Sequence, residues 1–173
     1  MKAKQERENM KTRTLKQTCS SALIVIAALT VAFSFASAQA PERTIQGAWR
    51  TMITGVNCQT GDPLGPPFAG LFTFNKGGTM SEYGIGPGSS PALRSPGHGV
   101  WQHEQGWQDY SYTFTYYRYN SSGVFIGSQK VTSTLKLGAS GDEFTTHSAV
   151  EILDANGNVI GTFCAIVAGT RFE

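Results

Sequence analysis

The 173-residue chain carries 14 Lys and Arg against 12 Asp and Glu, a net charge of +2. That length suits one domain plus its termini. The positive sign belongs to the N-terminal stretch, and beyond residue 38 eight basic residues face ten acidic ones, a net charge of −2. No basic patch remains for nucleic acid, and the Tyr-rich run lacks the interleaved Lys and Arg that backbone binding needs.

Lys2, Lys4, Arg7, Lys11, Arg13 and Lys16 form a basic lead, followed by an apolar core from Ala22 to Phe35 and the small residues Ala36-Ser37-Ala38. This is the layout of a secretory signal, with cleavage expected after Ala38. Residues 1–38 are therefore read as a signal peptide and 39–173 as a single secreted or periplasmic domain, with no stable membrane insertion after cleavage. The alternative is an uncleaved anchor, since the apolar run is near the lower length that spans a bilayer. Cys19 precedes the apolar core without the aliphatic residue that a lipoprotein signal needs. Cys58 and Cys164 remain after cleavage, and an oxidising compartment favours a disulfide between them over two buried thiols.

After a short tail, a first strand is expected over Ile45–Val56. The prolines and glycines of Gln59–Pro67 make a loop. Phe68–Phe74 alternates as a strand with an aromatic face, Asn75–Gly78 turns, and Thr79–Tyr83 is a shorter strand. Gly84–Gly97, rich in Gly, Ser and Pro, reads as a mobile flap. His98–Glu104 is a strand. Four long runs follow at Trp107–Asn120, Gly123–Leu137, Asp142–Asp154 and Val159–Thr170, joined by short turns as successive hairpins. The total is eight strands, with no helical apolar period outside the signal.

Turn lengths predict the registers. A two-residue turn at Ser121-Ser122 pairs Asn120 with Gly123, setting Tyr110 opposite Ser133, Tyr112 opposite Val131, Phe114 opposite Gln129 and Thr113 beside Lys130. The next hairpin aligns Leu137 with Phe144, Val131 with Val150, Ser133 with Ser148, and Lys130 with Glu151 on the outside, a favourable cross-strand pair. A four-residue loop at Ala155–Asn158 brings Phe163, Ala165 and Val167 to the inner face. One face stays consistent across all three hairpins.

An open eight-stranded meander would leave two apolar edges, and pairing Cys58 with Cys164 would bring the last strand to the first. Gly47-Ala48-Trp49 at the head of the first strand resembles the Gly-x-Trp of the calycins, the superfamily of lipocalins and avidin-like barrels. The resemblance implies an all-β, eight-stranded antiparallel up-and-down closed barrel with Trp49 at its closed end under a basic residue near the end of the last strand, the place of Arg171. Allene-oxide-cyclase-like and dirigent-like barrels also have eight strands and are a second possible home.

Such an interior is filled by side chains or holds one small ligand. Tyr110, Tyr112 and Phe114 share the inner face with Gln129, Ser133, Thr146, Ser148 and Phe163. Two inward serines must bond each other, water or a ligand. The expectation is an exported barrel binding a small apolar or aromatic molecule, with access gated by Gly84–Gly97 and no catalytic residue assigned. A filled core is the alternative. No metal or cofactor is implied: His98 and His103 face opposite ways, His147 points outward, and no nucleophile elbow or phosphate loop is present. Other readings are a cofactor-free isomerase or cyclase, for which Glu104, His103 and Asp109 would matter, and an interaction barrel that forms a homodimer through Tyr117, Tyr119 and Ile126.

Overall fold

The computed structural model describes residues 43–172. The signal expected over residues 1–38 lies outside the described residues. Eight strands follow in chain order: β1 (Gly47–Val56), β2 (Phe68–Phe74), β3 (Thr79–Gly84), β4 (Gly97–His103), β5 (Asp109–Tyr119), β6 (Phe125–Leu137), β7 (Glu143–Leu153) and β8 (Val159–Arg171). Each pairs antiparallel with the next, and β8 returns to β1, so the sheet closes into an up-and-down barrel. Closure removes both sheet edges. The alternation that drives it is plain in β6 and β7, where buried Val131, Ser133, Leu135 and Leu137 face buried Phe144, Thr146, Ser148 and Val150.

The register between β6 and β7 is the expected one. Ser133 opposes Ser148, and Lys130 opposes Glu151, with 3.6 Å between their charged groups outside the barrel. The β7–β8 register also holds, placing Phe163 opposite Val150 and Ala165 opposite Ser148. The β5–β6 register is corrected by two residues. Tyr110 opposes Leu135, Tyr112 opposes Ser133, Phe114 opposes Val131 and Tyr116 opposes Gln129; Lys130 sits beside Thr115, not Thr113. The cause is the hairpin tip. The Asn120 amide bonds the Val124 carbonyl across a three-residue loop, and the Asn120 side chain accepts from the Ser122 and Val124 amides. A bulge then leaves Ile126 of β6 unpaired where the partner strand steps from Arg118 to Tyr119, next to Gly127 at φ 132°. Because the error is an even number of residues, every side chain keeps its face.

The two barrel ends differ. At one end β1 starts at Gly47 rather than Ile45. Gly47 has φ 124°, and a Cβ there would lie 3.0 Å from an Arg171 guanidinium nitrogen, so this glycine lets the chain turn under the barrel. Ile45, fully buried, then plugs the floor, and its carbonyl accepts from Trp49 Nε1 at 2.8 Å. Trp49 opposes Arg171. The guanidinium lies 4.2 Å over the indole and donates to the carbonyls of Thr44, Gln46 and Gly141. Trp49, Phe74, Phe144, Met80 and Leu137 fill this end, with Trp49 and Phe144 4.9 Å apart edge to face. An aromatic pair of this kind adds about 0.5–1.5 kcal/mol beyond its burial.

The other end carries the loops from β1 to β2 and from β3 to β4 and the tips of the β5–β6 and β7–β8 hairpins. A disulfide joins Cys58, just beyond β1, to Cys164 of β8, with Cα atoms 5.0 Å apart. It staples the first and last strands near this end.

Candidate functional site

Above the aromatic floor the barrel interior holds a cavity of about 470 Å³ that opens toward the looped end. Its walls come from inward positions of most strands: Ile53, Phe72, Phe114, Val131, Val150, Phe163 and Val167 among them. The cavity exists because the inner face turns small at one level. Gly55, Gly84, Ser148 and Ala165 line it, where bulkier side chains would close the space.

Five of the expected ligand-binding residues line this space: Tyr112, Phe114, Gln129, Ser148 and Phe163. Three lie elsewhere. Tyr110 is buried toward the closed end, its hydroxyl donating to the Trp107 carbonyl at 3.2 Å and its ring against Trp101 and His103. The corrected register moves it there, opposite Leu135. Ser133 and Thr146 are buried behind the cavity wall in a cluster of hydroxyls. Ser133 and Ser148 oxygens are 2.5 Å apart, and Thr146 is 3.4 Å from Ser148. The serines therefore satisfy each other. The Tyr112 hydroxyl is packed among the same three side chains and reaches none of them in full hydrogen-bond geometry. Burial raises its pKa, with those neighbouring hydroxyls opposing.

Two residues that the strand pattern did not single out dominate the electrostatics. Glu82 of β3 points into the cavity with its side chain 2% exposed, and Arg94 reaches it from the β3–β4 segment. One guanidinium nitrogen bonds Glu82 Oε2, a second donates to the Gly84 carbonyl at 2.5 Å, and Nε donates to the Ser95 carbonyl at 3.1 Å. The guanidinium carbon of Arg94 lies 3.6 Å from the centroid of Tyr116, a cation over a ring face. Desolvation raises the Glu82 pKa above its ordinary value of 4.5, and Arg94 pulls only part of the way back. Burial likewise raises Tyr116, against the opposing field of Arg94. Glycine is required beside the carboxylate, because a Cβ at Gly97 would fall 2.7 Å from Glu82 Oε2.

The expected flap is consequently a tied structure. It contains a short 3-10 turn, Pro91–Leu93, capped by the Ser90 side chain. Arg94 inserts into the barrel, while Ser95 bonds the Tyr117 backbone twice, its amide donating to the carbonyl and its hydroxyl oxygen accepting from the amide. Leu93, Ser89 and Ser90 contribute to the mouth.

Glu104, His103 and Asp109 do not meet in the cavity. Glu104 is exposed and bonded to Ser111 and Gln102, and Asp109 pairs with Lys136 at 2.8 Å outside. Tyr119 and Ile126 line the mouth, whereas Tyr117 is exposed with its ring against Phe125. Glu82 was visible in principle, since it shares its strand face with Met80. That face depended on the register of the Asn75–Gly78 turn, which two positive-φ glycines set. Arg94 carried no signal, because nothing periodic places a loop residue inside a barrel.

No family model matches the chain, and a search of characterised proteins finds no match either.

Proposed function

We propose that this chain is an exported, calycin-like barrel that holds one small apolar or aromatic molecule in its interior. The observation that carries the proposal is the cavity of about 470 Å³, aromatic and aliphatic in its walls, open at one end and supplied with few polar groups. Small-molecule sites share this makeup. The plugged floor at Ile45 and Trp49 makes the looped end the route of access. Native mass spectrometry of the purified chain is expected to reveal a bound small molecule, and the neutral fluorophore N-phenyl-1-naphthylamine is expected to bind with enhanced emission. Val131→Trp, which projects an indole into the cavity, is expected to abolish that emission while leaving the fold intact. Absence of both a bound mass and a fluorophore signal overturns the proposal, as does full binding by Val131→Trp.

One observation favours a second reading. A buried carboxyl group held above its usual pKa at the wall of a largely apolar cavity has the properties of a general acid–base, so Glu82 supports a cofactor-free isomerase of the kind the second group of barrels suggests. Deuterium incorporation into the co-purified molecule in heavy water, absent in Glu82→Gln, is the expected result. No incorporation removes this reading and leaves the binding proposal intact.

A further inference from the structure

The charges around the cavity are unequal in number and in what they touch. Glu82 and Arg94 neutralise each other, and the guanidinium of Arg94 is further committed to two carbonyls and to the Tyr116 ring. Arg118 is different. It follows Tyr112, Phe114 and Tyr116 on the inner face of β5, half-buried, and lines the cavity at its mouth. Its backbone is bridged to Arg94, yet among the described residues its side chain has neither an ion pair nor a hydrogen bond. The cavity therefore carries one positive charge in excess, located at the rim, above walls that are apolar below. Glu82 lies deeper and repels a negative group that descends past the rim.

Resting on the binding function proposed above, we infer that the occupant is an organic monoanion, bound with its apolar body inside the barrel and its acidic head outward against Arg118. This arrangement lets the head keep part of its hydration, which a deeper position would strip at a cost that a single pair rarely recovers. Ser89 and Ser90 at the same mouth supply hydroxyls beside the head. The excess charge also attracts anions during approach.

A matched pair of fluorophores tests this with the intact domain. 1-Anilinonaphthalene-8-sulfonate and N-phenyl-1-naphthylamine share one aromatic body and differ in the sulfonate. The anion is expected to bind the wild-type protein more tightly than the neutral probe. Arg118→Gln is expected to weaken the anion by about three- to tenfold, the range for a partly exposed ion pair, and to leave the neutral probe unchanged. Raising ionic strength to about 1 M, where the screening length is about 3 Å, should weaken the anion alone. Equal affinity for both probes, or an equal loss of both in Arg118→Gln, overturns the inference while the cavity remains a binding site. If neither probe binds, the binding function itself falls. The wild-type comparison needs no variant, Arg118→Gln removes no side-chain hydrogen bond or ion pair among the described residues, and unchanged binding of the neutral probe shows that the variant is folded.

Discussion

Replacing Arg94 with Met removes the one cation paired with a carboxylate whose side chain is 2% exposed. The substitution keeps much of the aliphatic stem and deletes the bonds to Glu82, Gly84 and Ser95. Breaking a buried pair from one side costs about 3–5 kcal/mol when the remaining group stays charged, and that is the expected loss near pH 8. The sign of the pH dependence follows from Glu82. Its folded pKa lies above the ordinary 4.5 because desolvation outweighs Arg94. The folded protein thus binds more protons than the unfolded chain in the window between those two values. Its contribution to stability is full below the unfolded value and declines as pH rises through the folded one. Without Arg94 the folded value climbs further, so the deficit of Arg94→Met should be small near pH 5 and widen toward pH 8. Adding Glu82→Gln removes the charge and should restore most of the loss at the higher pH. Urea unfolding of the four proteins at both pH values measures the coupling. A deficit under about 1 kcal/mol at pH 8, or one independent of pH, would refute a buried and charged Glu82.

Two further outcomes are expected. The Cys58–Cys164 bridge spans a separation of 106 residues, for which the chain-entropy model allows at most about 4.7 kcal/mol; reduction should lower the calorimetric melting temperature by up to roughly ten to twenty degrees, and an unchanged melt would contradict the staple. Ser148→Ala strands the buried Ser133 hydroxyl and should cost about 1–3 kcal/mol, whereas Ser133→Ala leaves Ser148 its contact with Thr146, and adding Ser133→Ala to Ser148→Ala should cost little more. Additive losses in urea unfolding would show that the two oxygens do not depend on each other.

The strand pattern was legible because a half-buried strand must alternate, and that requirement is local. It is enough to recover eight strands, the inner faces of β5 to β8, and the Ser133–Ser148 and Val131–Val150 pairs. The link of Trp49 to Arg171 came from the Gly-x-Trp resemblance, and the expected pairing of Cys58 with Cys164 pointed to nearly the same register. Where the β5–β6 register went astray, the deciding features were a three-residue loop and a bulge at Ile126, each adding one residue, so that the two changes of phase cancel in the alternating pattern. The faces survived because the slip was even. Tyr110 and Ser133 nonetheless changed level, and level along the barrel axis decides which side chains meet the cavity.

Long-range geometry alone decided the rest. Ile45 is an ordinary strand residue by type, and becomes the floor only because Gly47 turns the chain beneath the closed end. Glu82 and Arg94 are twelve positions apart and belong to a strand and a loop. Their pairing rests on a segment crossing the mouth and on the space that Gly97 leaves beside the carboxylate. Periodicity reports which face of a strand is dry, since burial is felt residue by residue; it is silent on the depth of a side chain in the barrel and on which loop folds back inside, because both depend on how distant strands are staggered around the closed sheet.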